Sequence, residues 1–286
     1  MSDAAGLSKG RRVKQEFIST AGSVLGIDVG CSPSRRSSAV CRLDWDATSV
    51  SWNIERFRAV EPERITVIAR VADHRALKCA AFDGPLRSGM DVIGVYRVAE
   101  MMLTRRLQPF IGKPGQSSAP IGKLLNAHAN ECVRAVRALN LLGDAMHPQR
   151  LGNDAVVEAF PSSFLGLLID DPNALNARRG DRSDTFFVHL ADSGALDELV
   201  RHLLPGRRLK TQFATVKNHD DRAALVCALT ALCVSAGDYC AVGDDNGWVI
   251  LPPKSHIRSW AWSLLEVNAT DPLHLVCSAL GLGLGK

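Results

Sequence analysis

Four acidic positions stand where a carboxylate is costly unless something positive meets it. Asp28 ends the run Val24-Leu25-Gly26-Ile27-Asp28-Val29-Gly30, three apolar residues leading into one acid among glycines and β-branched neighbours. Lys78-Cys79-Ala80-Ala81-Phe82-Asp83-Gly84-Pro85 repeats that pattern, an apolar run closing on an acid and a turn. Glu158 lies inside Ala155-Val156-Val157-Glu158-Ala159-Phe160-Pro161, a run that reads as a strand. Asp220 and Asp221 open the helix announced by Asn218-His219-Asp220-Asp221-Arg222. Each has an ordinary explanation too. Asp28 and Asp83 could be turn formers, Glu158 could face solvent on an edge strand, and the helix acids could simply suit a helix amino terminus.

Taken together, three strand acids and one acid at the start of a buried helix would repel one another and raise each other's pKa. Oxygen ligands of this kind suit Mg²⁺ or Mn²⁺, which use carboxylates and water. Two such ions can activate a water and stabilise the leaving oxygen of a phosphodiester. That chemistry requires Asp28 and Glu158 to face one pocket.

The elements that must position these acids follow from periodicity. Ser38 to Trp45 and Val50 to Phe57 read as strands joined by Asp44-Trp45-Asp46-Ala47-Thr48, making a meander with the Asp28 strand. A helix follows Pro62, with Ile65, Ile68, Ala69 and Ala72 as its stripe. Residues 86–145 read as a helical insertion, broken at Gly112-Lys113-Pro114-Gly115 and restarted at Pro120. His128 falls on the apolar face of that second helix, as a satisfied core residue or a ligand. Residues 170–215 read as a polar, basic cap. The helix from Asn218 to about Ala236 is apolar nearly all round and hence buried. A hairpin about Gly243-Asp244-Asp245-Asn246 and a final helix with Trp260 and Trp262 complete the chain.

Bulk properties frame these elements. The 286 residues are 46% hydrophobic and 22% charged, with mean hydropathy near zero. They suffice for one large α/β domain with insertions. No apolar run is long enough to span a bilayer. Residues 1–22 carry Lys9, Arg11, Arg12 and Lys14 without an apolar stretch behind them, which reads as a flexible tail rather than a signal peptide. The eight cysteines are scattered without a C-x-x-C pair. Free buried thiols in a reducing cytoplasm are the expectation, not zinc or a disulfide framework. The net charge of +4 and the clusters Arg35-Arg36, Arg105-Arg106, Arg178-Arg179 and Arg207-Arg208 permit a polyanionic partner.

In order, Gly26-Ile27-Asp28-Val29-Gly30 with its meander, Phe82-Asp83-Gly84-Pro85, Val157-Glu158-Ala159-Phe160-Pro161, His219-Asp220-Asp221 with Ala224-Leu225-Val226-Cys227-Ala228, and Gly247-Trp248-Val249-Ile250-Leu251-Pro252 resemble the domain of unknown function 429 family. Its members are regarded as predicted nucleases. The resemblance implies a ribonuclease H-like mixed sheet flanked by helices over residues 23–254, with residues 255–286 as a helical extension. It implies Asp28, Asp83, Glu158 and Asp220 as catalytic metal ligands, with Asp221 as a further ligand. Arg35 or Arg36 would meet substrate phosphate, and DNA or RNA would be the partner. One position departs: related metal nucleases such as Holliday-junction resolvases show Asp-x-x-Asp-Ala at the last helix, and Ala223 stands where the second acid would be. That departure keeps open a non-catalytic nucleic-acid or protein-binding module. The strand–Asp–Gly opening is also shared with phosphotransferases of the actin and sugar-kinase kind, but no second Asp-x-Gly loop or late Gly-Gly pair is present.

Overall fold

A computed structural model of the chain describes residues 18–112, 114–176 and 182–279. Residues 1–17, which make up most of the expected amino-terminal tail, lie outside the described residues, as do Arg178 and Arg179.

The chain is α/β. Strands β1 (Gly22–Asp28), β2 (Ser38–Trp45) and β3 (Ser49–Phe57) form the expected meander, followed by helix α1 (Glu61–Ala72) and β4 (Leu77–Asp83). Helices α2 (Val98–Thr104), α3 (Gln108–Ile111) and α4 (Pro120–Ala138) occupy the expected helical stretch, then β5 (Val156–Ala159) and α5 (Pro161–Gly166). Next come α6 (Arg182–Asp192), α7 (Ala195–Leu203), β6 (Arg208–Leu209) and α8 (His219–Ser235). The hairpin β7 (Asp238–Asp244) and β8 (Gly247–Leu251), α9 (Ser259–Asn268) and β9 (Leu275–Ala279) finish it.

Among the described residues these strands make one mixed sheet in the order β6-β3-β2-β1-β4-β5-β8-β7-β9. β1 is antiparallel to β2 and parallel to β4, and β4 is parallel to β5. The carboxyl ends of β1, β4 and β5 therefore share one edge. One face of the central strands, including Val24, Ala81, Val157 and Ala159, packs on α8. The other, with Leu25, Ile27, Phe82 and Val156, packs on α1 and α4. A third apolar cluster joins α2 and α9 to β7 and β8. Among the described residues no helix is long and apolar enough to cross a membrane.

Three features depart from expectation. The segment 170–215 is more than a cap: Leu209 pairs with Val50, so β6 extends the sheet beyond β3. The carboxyl-terminal stretch is more than a helical extension, because β9 adds a strand alongside β7. That strand also brings Cys277 opposite Cys240, where the two are bonded as a disulfide. The free-thiol expectation thus fails for this pair and holds, among the described residues, for Cys31, Cys41, Cys79, Cys132, Cys227 and Cys233.

Candidate functional site

The register of the sheet decides which acids meet. Partners across neighbouring strands point to the same face, and successive residues along a strand alternate. Arg56, Ala39, Asp28, Asp83 and Ala159 are consecutive partners across β3, β2, β1, β4 and β5. They form one row on the face covered by α8. The alanines flanking the two aspartates leave room around their carboxylates.

Helix α8 brings the remaining acids. Its middle is apolar on every side, and residues 223–234 are buried. Gly26, two residues before Asp28 on the same face, lets the helix backbone come down on β1. A Cβ there would lie 2.1 Å from the Ala228 nitrogen and 2.3 Å from the Ala224 oxygen. The helix start is fixed by Asn218, whose Oδ1 accepts from the Asp220 and Asp221 N–H groups at 3.0 and 3.3 Å. Asp184 on α6 holds it from outside, pairing with Arg222 at 2.9 Å and His219 at 3.0 Å. One turn before Gly26's contacts, Asp220 and Asp221 thus come to lie over the carboxyl end of β1.

The electrostatics are those of an acid cluster with cationic groups only at its margin. Burial pushes the Asp28 carboxyl well above its ordinary range, and Asp83, Asp220 and Asp221 push it further. Asp83 is pushed up to about 7, by burial first and the Glu158 charge second, with His219 opposing. Burial also raises Asp221, while Arg56, 3.4 Å away, opposes. The thiols of Cys31 and Cys227 are raised by burial and by the same aspartates, so neither is poised as a thiolate nucleophile.

Glu158 does not join this group. It is the partner of Phe82, which is itself the register mate of Ile27, so it occupies the adjacent row and points to the opposite face from Asp28 and Asp83. There Arg97 grips both its oxygens, Nη1 on Oε2 at 2.7 Å and Nη2 on Oε1 at 2.8 Å, and the Leu86 N–H donates to Oε2 at 2.8 Å. The expected four-acid pocket is corrected accordingly: the carboxylate of Glu158 is taken up by an internal partner, and only its field reaches Asp83. The two arginines expected to meet phosphate follow β1 in the chain. Arg35 is exposed at the turn after β1, and Arg36 leans outward onto Glu63 at 3.1 Å. Arg56 is the cation in the aspartate row. Its signal was in the sequence, since it continues the apolar phase of Val50, Trp52 and Ile54. His128 shares the Glu131 carboxylate at 3.2 Å, away from the acids.

Among the described residues, no group of three or more His, Cys, Asp or Glu is placed to hold a metal ion by itself. The pair Asp28 and Asp83 nonetheless fits a hard divalent cation. Burial and acidic neighbours hold both carboxyls above their ordinary range, and Mg²⁺ is commonly bound by one or two protein carboxylates, the rest of its shell being water and substrate phosphate. No family model matches the chain, and no curated protein or solved structure matches it.

Proposed function

We propose that this chain is a divalent-metal-dependent phosphodiesterase acting on nucleic acid, with a ribonuclease H-like sheet and with Asp28 and Asp83 in place of the pocket that needed Glu158 beside Asp28, a requirement the sheet register does not meet. The observation that carries the reading is the row Arg56, Asp28, Asp83 beneath the first turn of α8, where Asp83, Asp220 and Asp221 all press on Asp28. The meander β1-β2-β3 followed by parallel β4 and β5 supports that kind of sheet, and delivers both aspartates to the edge where α/β proteins gather ligands.

In this reading Asp28 and Asp83 would hold the cation, and Asp220 would orient the attacking water. Arg56 shifts from Asp221 to a substrate phosphate oxygen, a bidentate geometry that a guanidinium suits. His219, on the rim beside Asp83, is placed to carry a proton to the leaving oxygen. A bound Mg²⁺ or Mn²⁺ would lower the pKa of its water and offset charge on the leaving oxygen.

A second reading, a non-catalytic nucleic-acid or protein-binding module, is favoured by the engagement of Glu158 with Arg97 and by Ala223. The two are separated by incubating the protein with single-stranded, duplex and branched DNA and RNA, with Mg²⁺ or Mn²⁺, beside Asp28→Asn. The enzymatic reading expects metal-dependent cleavage that Asp28→Asn abolishes. Retention of nucleic acid without cleavage by either protein would leave the binding module.

A further inference from the structure

On the opposite face of the sheet from the aspartate row, α1 and α4 enclose a cleft of about 470 Å³. Arg64, on α1, lines it and is only 4% exposed. Its Nη2 meets Glu131 at 2.6 Å, yet its Nε is buried without a hydrogen-bond partner among the described residues. A guanidinium is a rigid fork of donors, and one withdrawn from water is expected to have acceptors for them. Here one carboxylate serves two donors, because His128 Nδ1 also stands 3.2 Å from the same Glu131 oxygen. Arg134, one turn beyond on α4, reaches the rim of the cleft and is exposed. Ile65 and Ala135 supply apolar wall between these groups.

We infer that this cleft is a binding site for a small molecule bearing a terminal oxyanion, a carboxylate or a phosphate. The anion would take the guanidinium donors of Arg64 that border the cleft, with Arg134 closing from the rim, and the ligand's body would lie against Ile65 and Ala135. Charge-assisted pairing with a planar fork is the strong form of this contact. Glu61 and Glu131 also line the cleft, and together they would oppose a diffuse polyanion more than a compact anion seated on Arg64. The site owes nothing to the aspartate row and does not depend on the phosphodiesterase reading.

The test is calorimetric titration of the full chain, without divalent metal, using inorganic phosphate in one arm and succinate in the other. Saturable binding in either arm is expected, and the stronger arm identifies the group. Arg134→Ala should weaken it about tenfold, the loss of one charged hydrogen bond, and Glu131→Gln should strengthen it by freeing Arg64. Arg64→Lys, which keeps the charge and loses the fork, should weaken it further. Should that buried variant fail to fold, Arg134→Ala and Glu131→Gln decide the matter. Asp28→Asn should bind as the wild type does. Absence of saturable binding in both arms, indifference to Arg134→Ala and Glu131→Gln, or loss of binding in Asp28→Asn would overturn the proposal.

Discussion

Arg97 closes on Glu158 from 61 positions away in the chain, with two parallel contacts of 2.7 and 2.8 Å. The same guanidinium binds Glu100 through Nε at 2.8 Å, and the Ser117 N–H and hydroxyl donate to that second carboxylate. All four residues are buried. Glu158 is thereby the anchor of the α2 segment on β5, which gives its charge a structural reason in an apolar strand.

Removing one member of a buried ion network leaves the others uncompensated, which costs more than the intact network contributes. Arg97→Ala should therefore destabilise the protein by about 3–5 kcal/mol, measured by urea unfolding. Glu158→Gln keeps hydrogen-bonding capacity and should cost less, and any thermal shift produced by Mn²⁺ should survive it. Loss of that shift in Glu158→Gln would return Glu158 to the metal site.

Asp28 is in the contrary position. Its neighbours are acids and burial opposes its charge, so the native fold is strained by it at neutral pH. Asp28→Asn should raise the melting temperature in metal-free buffer and abolish the additional rise on Mn²⁺, since a ligand binding only the folded state stabilises by mass action. A shift of a few degrees, corresponding to about 1 kcal/mol, is the expected size. A fall in melting temperature would mean that Asp28 is instead a well-partnered structural acid.

His147 sets an acid limit on stability. It is buried, neither ring nitrogen has a hydrogen-bond partner among the described residues, and its ring stands edge-on to Tyr239 at 6.1 Å. Burial, aided by Arg150, pushes its pKa down to about 4. Between that value and its unfolded one near 6.5, the unfolded chain binds the proton and the native one does not. Stability should fall as pH drops through this window and level off below it, by at most about 3 kcal/mol. His147→Phe should flatten that part of the profile. A His147→Phe profile as steep as that of the wild type between pH 6.5 and 4 would show the ring to be solvated.

Much of this was legible because periodicity is local. The meander, the two strands ending in Asp28 and Asp83, and the apolar α8 with its Asn218 cap follow from runs of a few residues. What escaped depends on register between distant strands. Glu158 was read as converging with Asp28 because both are acids in apolar strand runs, one at the end of its run and one within it. A one-residue offset across β4 reverses the face, and no local pattern reveals it. The short β6 and the late β9 lacked strand signals of their own and are defined by the neighbours they pair with. Arg56 was the one missed residue whose phase alone could have marked it.

The closest test of how the fold positions the acids lies at Gly26. A methyl group there meets backbone atoms of α8, not the end of a flexible side chain, so the helix itself must move. Gly26→Ala should therefore destabilise the protein by about 1–3 kcal/mol, the range for overpacking a tight core. It should also separate Asp220 and Asp221 from Asp28, weakening the Mn²⁺ shift more than the stability loss alone explains. Gly94→Ala is the control, since a Cβ at Gly94 has nothing within 4 Å. If Gly26→Ala melts like Gly94→Ala and keeps its response to Mn²⁺, then α8 does not bear on β1 closely enough to hold the acidic row together.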